Sequence, residues 1–327
     1  MQNFGFDLQE YKEKREIRRA ANCIGAAYAL MFAVAFVLEL VLILVALFMG
    51  GDMQKALSIF EDGVFSWALQ AVLSAVMFTL PYILAVKLCG RRLSSVIECK
   101  KPKKAMFWPL TMLGVGVCQV GEIMTNLFAS VSESVGISPA MPDMEYDTSI
   151  FGIALGFLAT AVVPAFVEEF ALRGVTMGLL RRFGDGFSII VSATLFGLMH
   201  GNLIQAPFAF VVGLGLGFIM IKSGSIWTAV TVHFINNALA VVFEYVTMGL
   251  SDSLTSVLYY TYAILMLVVG VIGFIISSKR DSSLWTIEKS ETALSERKKI
   301  TTVFTAPFII VALVITVIEM IIVQVMY

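Results

Sequence analysis

The residues able to do chemistry are few, and they stand in apolar surroundings. Glu168, Glu169 and Arg173 lie inside an apolar run from Ile150 to Leu180. A run of that length can cross a bilayer, which takes about 20 residues. An ionised carboxylate at mid-membrane costs on the order of 3 kcal/mol on insertion scales. Two adjacent acids are therefore expected to face protein or trapped water and to have partners. Helix geometry sorts them. Glu169 and Arg173 are four apart, so they share a face and can form an ion pair. Glu168 points about 100° away around the helix and has no such local partner. The pair reads as structural and Glu168 as the reactive group. A wholly structural cluster is the plainer alternative, but it would not need the unpaired carboxylate.

The chain has only two histidines, His200 and His233, and both are expected inside membrane spans rather than in loops. At 1.5 Å per residue, Glu168 and His200 each lie roughly 20 Å from the basic edge of their spans, His233 roughly 12 Å and Asn237 roughly 18 Å. Polar groups on three spans thus reach similar depths. His233 and Asn237 project to one side of their helix, and Phe196 stands beside His200 by the same spacing. A lone buried histidine is usually a satisfied core residue. Two of two within the membrane, alongside a buried Glu pair, point instead to function.

These residue types suit peptide-bond hydrolysis by an activated water. Glu168 is the candidate general base, and His200 could hold the same water. His233 and Asn237 are donors suited to the oxyanion that develops on a scissile carbonyl. The alternative is that Glu168, His200 and His233 bind a divalent metal such as zinc, with metal-bound water as the nucleophile. The chain lacks the His-Glu-x-x-His spacing that would identify a zincin. No Ser/His/Asp or Cys/His set competes, because the four cysteines all precede the motif region. Cys23, Cys89, Cys99 and Cys118 show no metal spacing and read as free thiols.

The elements that must position these residues are transmembrane helices. Of the 327 residues 58% are hydrophobic and 14% charged, against about 25% charged in soluble domains. The expected fold is an all-α, polytopic helical bundle. Apolar segments fall at 22–49, 64–88, 105–130, 149–180, 187–201, 204–221, 225–250, 254–277 and 301–326, so about nine spans are expected, with eight possible. The short pair at 187–201 and 204–221 is the weakest part of that count. Positive charge supports it. Basic clusters at Lys12–Arg19, at 89–104, at Arg181-Arg182, at Lys222 and at 278–300 all fall on one face when nine spans alternate. Lys55 and the acidic loop with Glu133, Asp143, Glu145 and Asp147 fall on the other. The N-terminus is then cytoplasmic, and an eight-span chain would break the alternation. The first apolar run exceeds a signal-peptide core, so the N-terminus is expected to be retained. The organisation read is a cytoplasmic segment at 1–21 (an interfacial helix or a solvated tail), spans at 22–148, a catalytic core at 149–250 and further spans at 251–327. Glu39, Glu122 and Glu319, alone in outer spans, read as packed residues. A net charge of −1 gives no reason to expect nucleic acid.

Glu-Glu-x-x-x-Arg (Glu168, Glu169, Arg173), Phe-x-x-x-His (Phe196, His200) and His-x-x-x-Asn (His233, Asn237), in that order on separate spans, resemble the motif set of the CAAX prenyl protease and bacteriocin-processing family of intramembrane endopeptidases, also called the CPBP or Abi family. The resemblance covers about residues 150–250. It implies the same assignment of roles, with Glu169 and Arg173 orienting the site. It also implies a peptide or membrane-anchored protein substrate: a prenylated C-terminus, a bacteriocin leader or a peptide toxin. Family members are often labelled metalloproteases, and a metal-free glutamate mechanism is also argued for them. Two non-proteolytic readings remain: a transporter with a Glu/His proton relay, and a catalytically silent immunity or scaffold protein. No related halves support the transporter, and intact motifs speak against silence. A bacterial plasma membrane is the expected location.

Overall fold

The computed structural model describes residues 2–50, 63–97, 99–137, 147–287 and 290–326. Lys55, Asp143 and Glu145 lie outside these residues, as does the side chain of Glu39. Every regular element among the described residues is helical. Besides a single turn at Leu93–Val96 these are α1 (Gln2–Gly50), α2 (Gly63–Leu88), α3 (Lys104–Ser134), α4 (Ile150–Phe183), α5 (Asp185–Leu198), α6 (Gln205–Ser223), α7 (Ile226–Thr247), α8 (Asp252–Arg280), α9 (Glu296–Phe304) and α10 (Pro307–Met326).

Eight of these helices are long and apolar enough to cross a bilayer: α1 to α4, α6 to α8 and α10. The chain is a multi-pass integral membrane protein. Rows of bare apolar side chains such as Val257, Ile264 and Val271 on α8, or Val311, Val314 and Ile318 on α10, have only lipid to face. The weak pair of spans resolves unequally. α6 is long enough, whereas α5 has 14 residues, about 21 Å of helix against a hydrocarbon core of about 30 Å. The nine apolar helices are therefore eight full-length ones and a short one. α5 stops because Gly201 takes a left-handed conformation, φ +65°, which glycine adopts without a Cβ penalty.

The segment at 1–21 does not separate from the first span. α1 runs unbroken through Ala21, and Ile17, Ala20, Ile24, Ala27 and Tyr28 form a continuous buried stripe along it at helical spacing.

Close helix approach comes from small residues, as expected where lipid removes the hydrophobic drive for association. A Cβ built on Gly116 would lie 2.5 Å from the Cα of Gly270, so α3 and α8 touch backbone to backbone. The glycine row of α6 works in the same way: Gly213 abuts Ala193 of α5, Gly215 abuts Val117 of α3, and Gly217 abuts Ile189. α6 is thereby wedged at the centre of the bundle.

The basic clusters meet at one end. Lys222 Nζ donates to the carbonyls of Ser283 (3.2 Å) and Thr286 (2.7 Å), Ser225 Oγ donates to the Lys100 carbonyl (2.6 Å), and Lys299 Nζ to the Phe183 carbonyl (2.7 Å). Lys298 pairs with Glu10 (2.9 Å) and Arg182 with Glu16 (3.0 Å). At the opposite end Tyr245 donates to the Asp147 carbonyl (3.1 Å), and Gly63 lies against Asp147. The alternation inferred from charge is thus a physical property of the bundle, with α5 counted as its short crossing.

Single cysteines introduced at Lys101 and Ser295 are expected to react with an impermeant thiol reagent from one side of sealed vesicles, in a background lacking the native cysteines. One at Ser134 should react only from the other side. Labelling of Lys101 and Ser134 positions from the same side would contradict this arrangement.

Candidate active site

The helix that carries the carboxylates is not uniform. α4 begins as α-helix (Ile150–Phe157), widens to a π-helical turn (Leu158–Val162), returns to α (Val163–Glu169), and widens again (Phe170–Thr176) before its last turns. Pro164 explains the first widening. Proline has no N–H, so the Thr160 carbonyl loses its ordinary partner four residues on. The chain loosens until the Val163 N–H reaches the Leu158 carbonyl, and Asn237 Nδ2 on α7 donates to the orphaned Thr160 carbonyl at 3.0 Å. Wide turns of this kind re-aim the residues that follow and recur at functional sites. Glu168 and Glu169 end the short α stretch between the two.

Glu169 and Arg173 form the ion pair that their spacing predicts. Arg173 Nη1 donates to Glu169 Oε1 at 2.9 Å, and both side chains are fully buried. Arg173 also donates to the Gly213 carbonyl (3.2 Å), and its guanidinium lies 4.4 Å from the centre of the Phe196 ring, a cation–π arrangement. His233 Nδ1 approaches the same Glu169 oxygen at 2.9 Å. A carboxylate engaged by arginine can only accept, so Nδ1 carries the proton. That leaves Nε2, which lies 3.8 Å from Glu168 Oε2. Glu168 is therefore not without a partner. It has none on its own helix, and its neighbour is the imidazole of α7.

His200 corrects a second expectation. It lies in the turn just beyond α5 and not within a span. Its Nδ1–H donates to the Phe196 carbonyl at 2.9 Å, one of the last-turn acceptors that a helix end leaves open. The lone pair of His200 is then on Nε2. Asn202 stabilises the turn, accepting from the Gln205 N–H (2.7 Å) and donating to the His200 carbonyl (3.2 Å). Phe196 stands between the two imidazoles, with centroids 5.2 Å from His200 and 5.8 Å from His233.

Glu168, His200, His233 and Asn237 line one cavity of about 250 Å³. Glu169 and Arg173 lie behind it and fix its wall. One N–H of Asn237 goes to Thr160, which leaves the other. Among the described residues no three His, Cys, Asp or Glu side chains converge as a metal-ligand set. The trio Glu168, His200 and His233 shares the cavity without closing on a common point. The sequence reading did not single out Gln70, Thr160, Gln205 or Asn236, which also line it. Gln70 was legible as an amide inside the apolar second span. The Thr160 carbonyl could be found only by asking what Pro164 fails to donate.

Residues 150–239 match the family model described as Type II CAAX prenyl endopeptidase Rce1-like. Over those residues the chain is similar to that family. The match supports the motif resemblance and contains every side chain named at the site from Glu168 to Asn237. Comparison with curated proteins gives no match, and comparison with solved structures gives none. The Rce1-like segment takes in α4, α5, α6 and the first two-thirds of α7. Helices α1 to α3 and α8 to α10 lie outside it.

The two neighbouring carboxylates of the Rce1-like segment should part company when neutralised. Glu169→Gln strands a buried guanidinium and the Nδ1–H of His233, and breaking such a pair costs about 3–5 kcal/mol. Its unfolding midpoint in detergent should drop clearly below wild type. Glu168→Gln should unfold close to the wild-type midpoint. Equal midpoints for the two variants would show that Glu169 does not anchor the site.

Proposed function

We propose that this protein is an intramembrane endopeptidase of the CAAX-protease type that hydrolyses a peptide bond with water activated by Glu168. The observation that carries this reading is the shared cavity. One carboxylate and the Nε2 atoms of two histidines border it, while the second carboxylate is consumed by Arg173 and His233. The Rce1-like match over residues 150–239 supports the protease class.

In this mechanism a water lies between Glu168 and the Nε2 lone pair of His200. Glu168 takes one proton, and the oxygen attacks the scissile carbonyl carbon. The oxyanion receives a donor from the free amide N–H of Asn237, and His233 Nε2 borders the same reacting group beside Glu168. Collapse breaks the C–N bond, and the proton held by Glu168 passes to the departing amine. Glu169 and Arg173 touch neither substrate nor water; they hold His233 in register, as the partners of catalytic histidines commonly do. No step here passes through a metal.

The substrate is a peptide or a membrane-anchored protein, and a bacterial plasma membrane is the proposed location. Glu168→Gln is expected to abolish cleavage of a peptide substrate by the purified protein. Retention of more than about a tenth of the wild-type rate, a barrier change under ~1.4 kcal/mol, would remove Glu168 as the base. Asn237→Ala should cost on the order of 10²–10³ in rate, with metal content unchanged. Elemental analysis checks the metal-free reading. About one tightly held zinc per chain, lost in His233→Ala along with activity, would replace it with metal-assisted hydrolysis.

A further inference from the structure

A second and larger cavity, of about 530 Å³, adjoins the first between α3, α6, α7 and α8. The two share four lining residues: Gln205, Phe208, Asn236 and Asn237. Its outer wall carries two carboxylates, Glu122 on α3 and Glu244 on α7, with Asn126 and the hydroxyls of Tyr259 and Tyr262. No lysine or arginine lines it. Asn126 donates to Tyr259 at 2.7 Å, which ties α3 to α8 there. The wall also contains two polar atoms with no hydrogen-bond partner among the described residues, Gln119 Nε2 and Thr125 Oγ1. Their side chains are only 4% and 6% exposed. Both atoms are sealed off from water, so they lie behind the wall's surface and do not face into the cavity.

The position of this cavity along the bundle is decided by helix direction. α3 and α7 both start at the basic end, and the lining residues 118–126 and 236–244 lie in their far halves. α6 and α8 both finish at the basic end, and Gln205, Phe208, Tyr259 and Tyr262 lie in their near-start halves. The whole cavity therefore occupies the half of the bundle away from the basic loops. The cavity at Glu168 reaches into the same half, with Gln70 of α2 and Thr160 of α4 in its lining.

We infer that the cavity between α3, α6, α7 and α8 is the substrate channel, that it receives the peptide from the face opposite the basic loops, and that Glu122, with Glu244 at the mouth, selects a lysine or arginine side chain near the scissile bond. The inference rests on the peptidase reading and names its substrate class: a cationic peptide presented on the extracytoplasmic side. Carboxylates in a partly dehydrated wall pair strongly with ammonium or guanidinium groups.

The test uses purified full-length protein and a set of short fluorescent peptides that differ at one position, which carries Lys, Arg, Met or Glu. Binding is measured on the Glu168→Gln protein and cleavage on wild type. The Lys and Arg peptides should bind on the order of tenfold tighter than the Met peptide. That preference should vanish in Glu122→Gln and shrink in Glu244→Gln. In proteoliposomes, cleavage of added peptide should follow the fraction of molecules with the Ser134 end outward. Cleavage without charge preference would overturn this inference and leave the peptidase standing. Charge-selective binding without cleavage by wild type would do the reverse. No binding of any peptide, or cleavage that follows the basic end outward, would overturn the channel.

Discussion

Everything at the site leans on one buried carboxylate. Glu169 accepts from Arg173 on its own helix and from His233 on α7, and Arg173 goes on to the Gly213 carbonyl of α6 and the face of Phe196 on α5. Four helices are thus held by a single charge pair. Such a pair is weak evidence of stability, since desolvating two ions costs about as much as their attraction returns. Its value is positional. It fixes which histidine nitrogen bears a proton, and so which nitrogen faces Glu168. The glycine row of α6 is part of the same device, because a side chain at Gly213 would push α5 away and carry Phe196 with it.

The gross architecture was legible in composition and charge. Apolar length gave the helices, and the asymmetry of lysine and arginine gave their directions, because both reflect the bilayer acting on each segment separately. The ion pair was legible from its four-residue spacing, since a helix makes that contact locally. What the sequence hid was decided between segments. Glu168 looked unpaired because its neighbour, His233, is far along the chain. His200 looked intrahelical because Gly201-Asn202 reads as the turn, and nothing local says that α5 already ends at Leu198, before His200. The unbroken α1 was missed because a change from polar to apolar residues marks a change of solvent and does not itself break a helix.

The two wide turns of α4 show how local chemistry and tertiary contact share a task. Pro164 opens a carbonyl that the helix cannot satisfy, and Asn237 closes it from α7. The same asparagine borders the cavity with Glu168. A residue that reads as purely catalytic in a motif is also a strut, so the geometry of Glu168 relative to α7 is set by a backbone hydrogen bond as well as by the imidazole.

The shortness of α5 has a consequence for the protein around it. Nine of its 14 residues are buried, so other helices and not acyl chains surround it. Non-helical backbone at membrane depth is tolerated only where protein or a cavity covers it. His200 and Asn202 meet that condition from within the turn, because their side chains donate to the carbonyls of Phe196 and His200. The bundle thereby ends a helix in its interior and keeps a polar turn beside the cavity without presenting it to lipid.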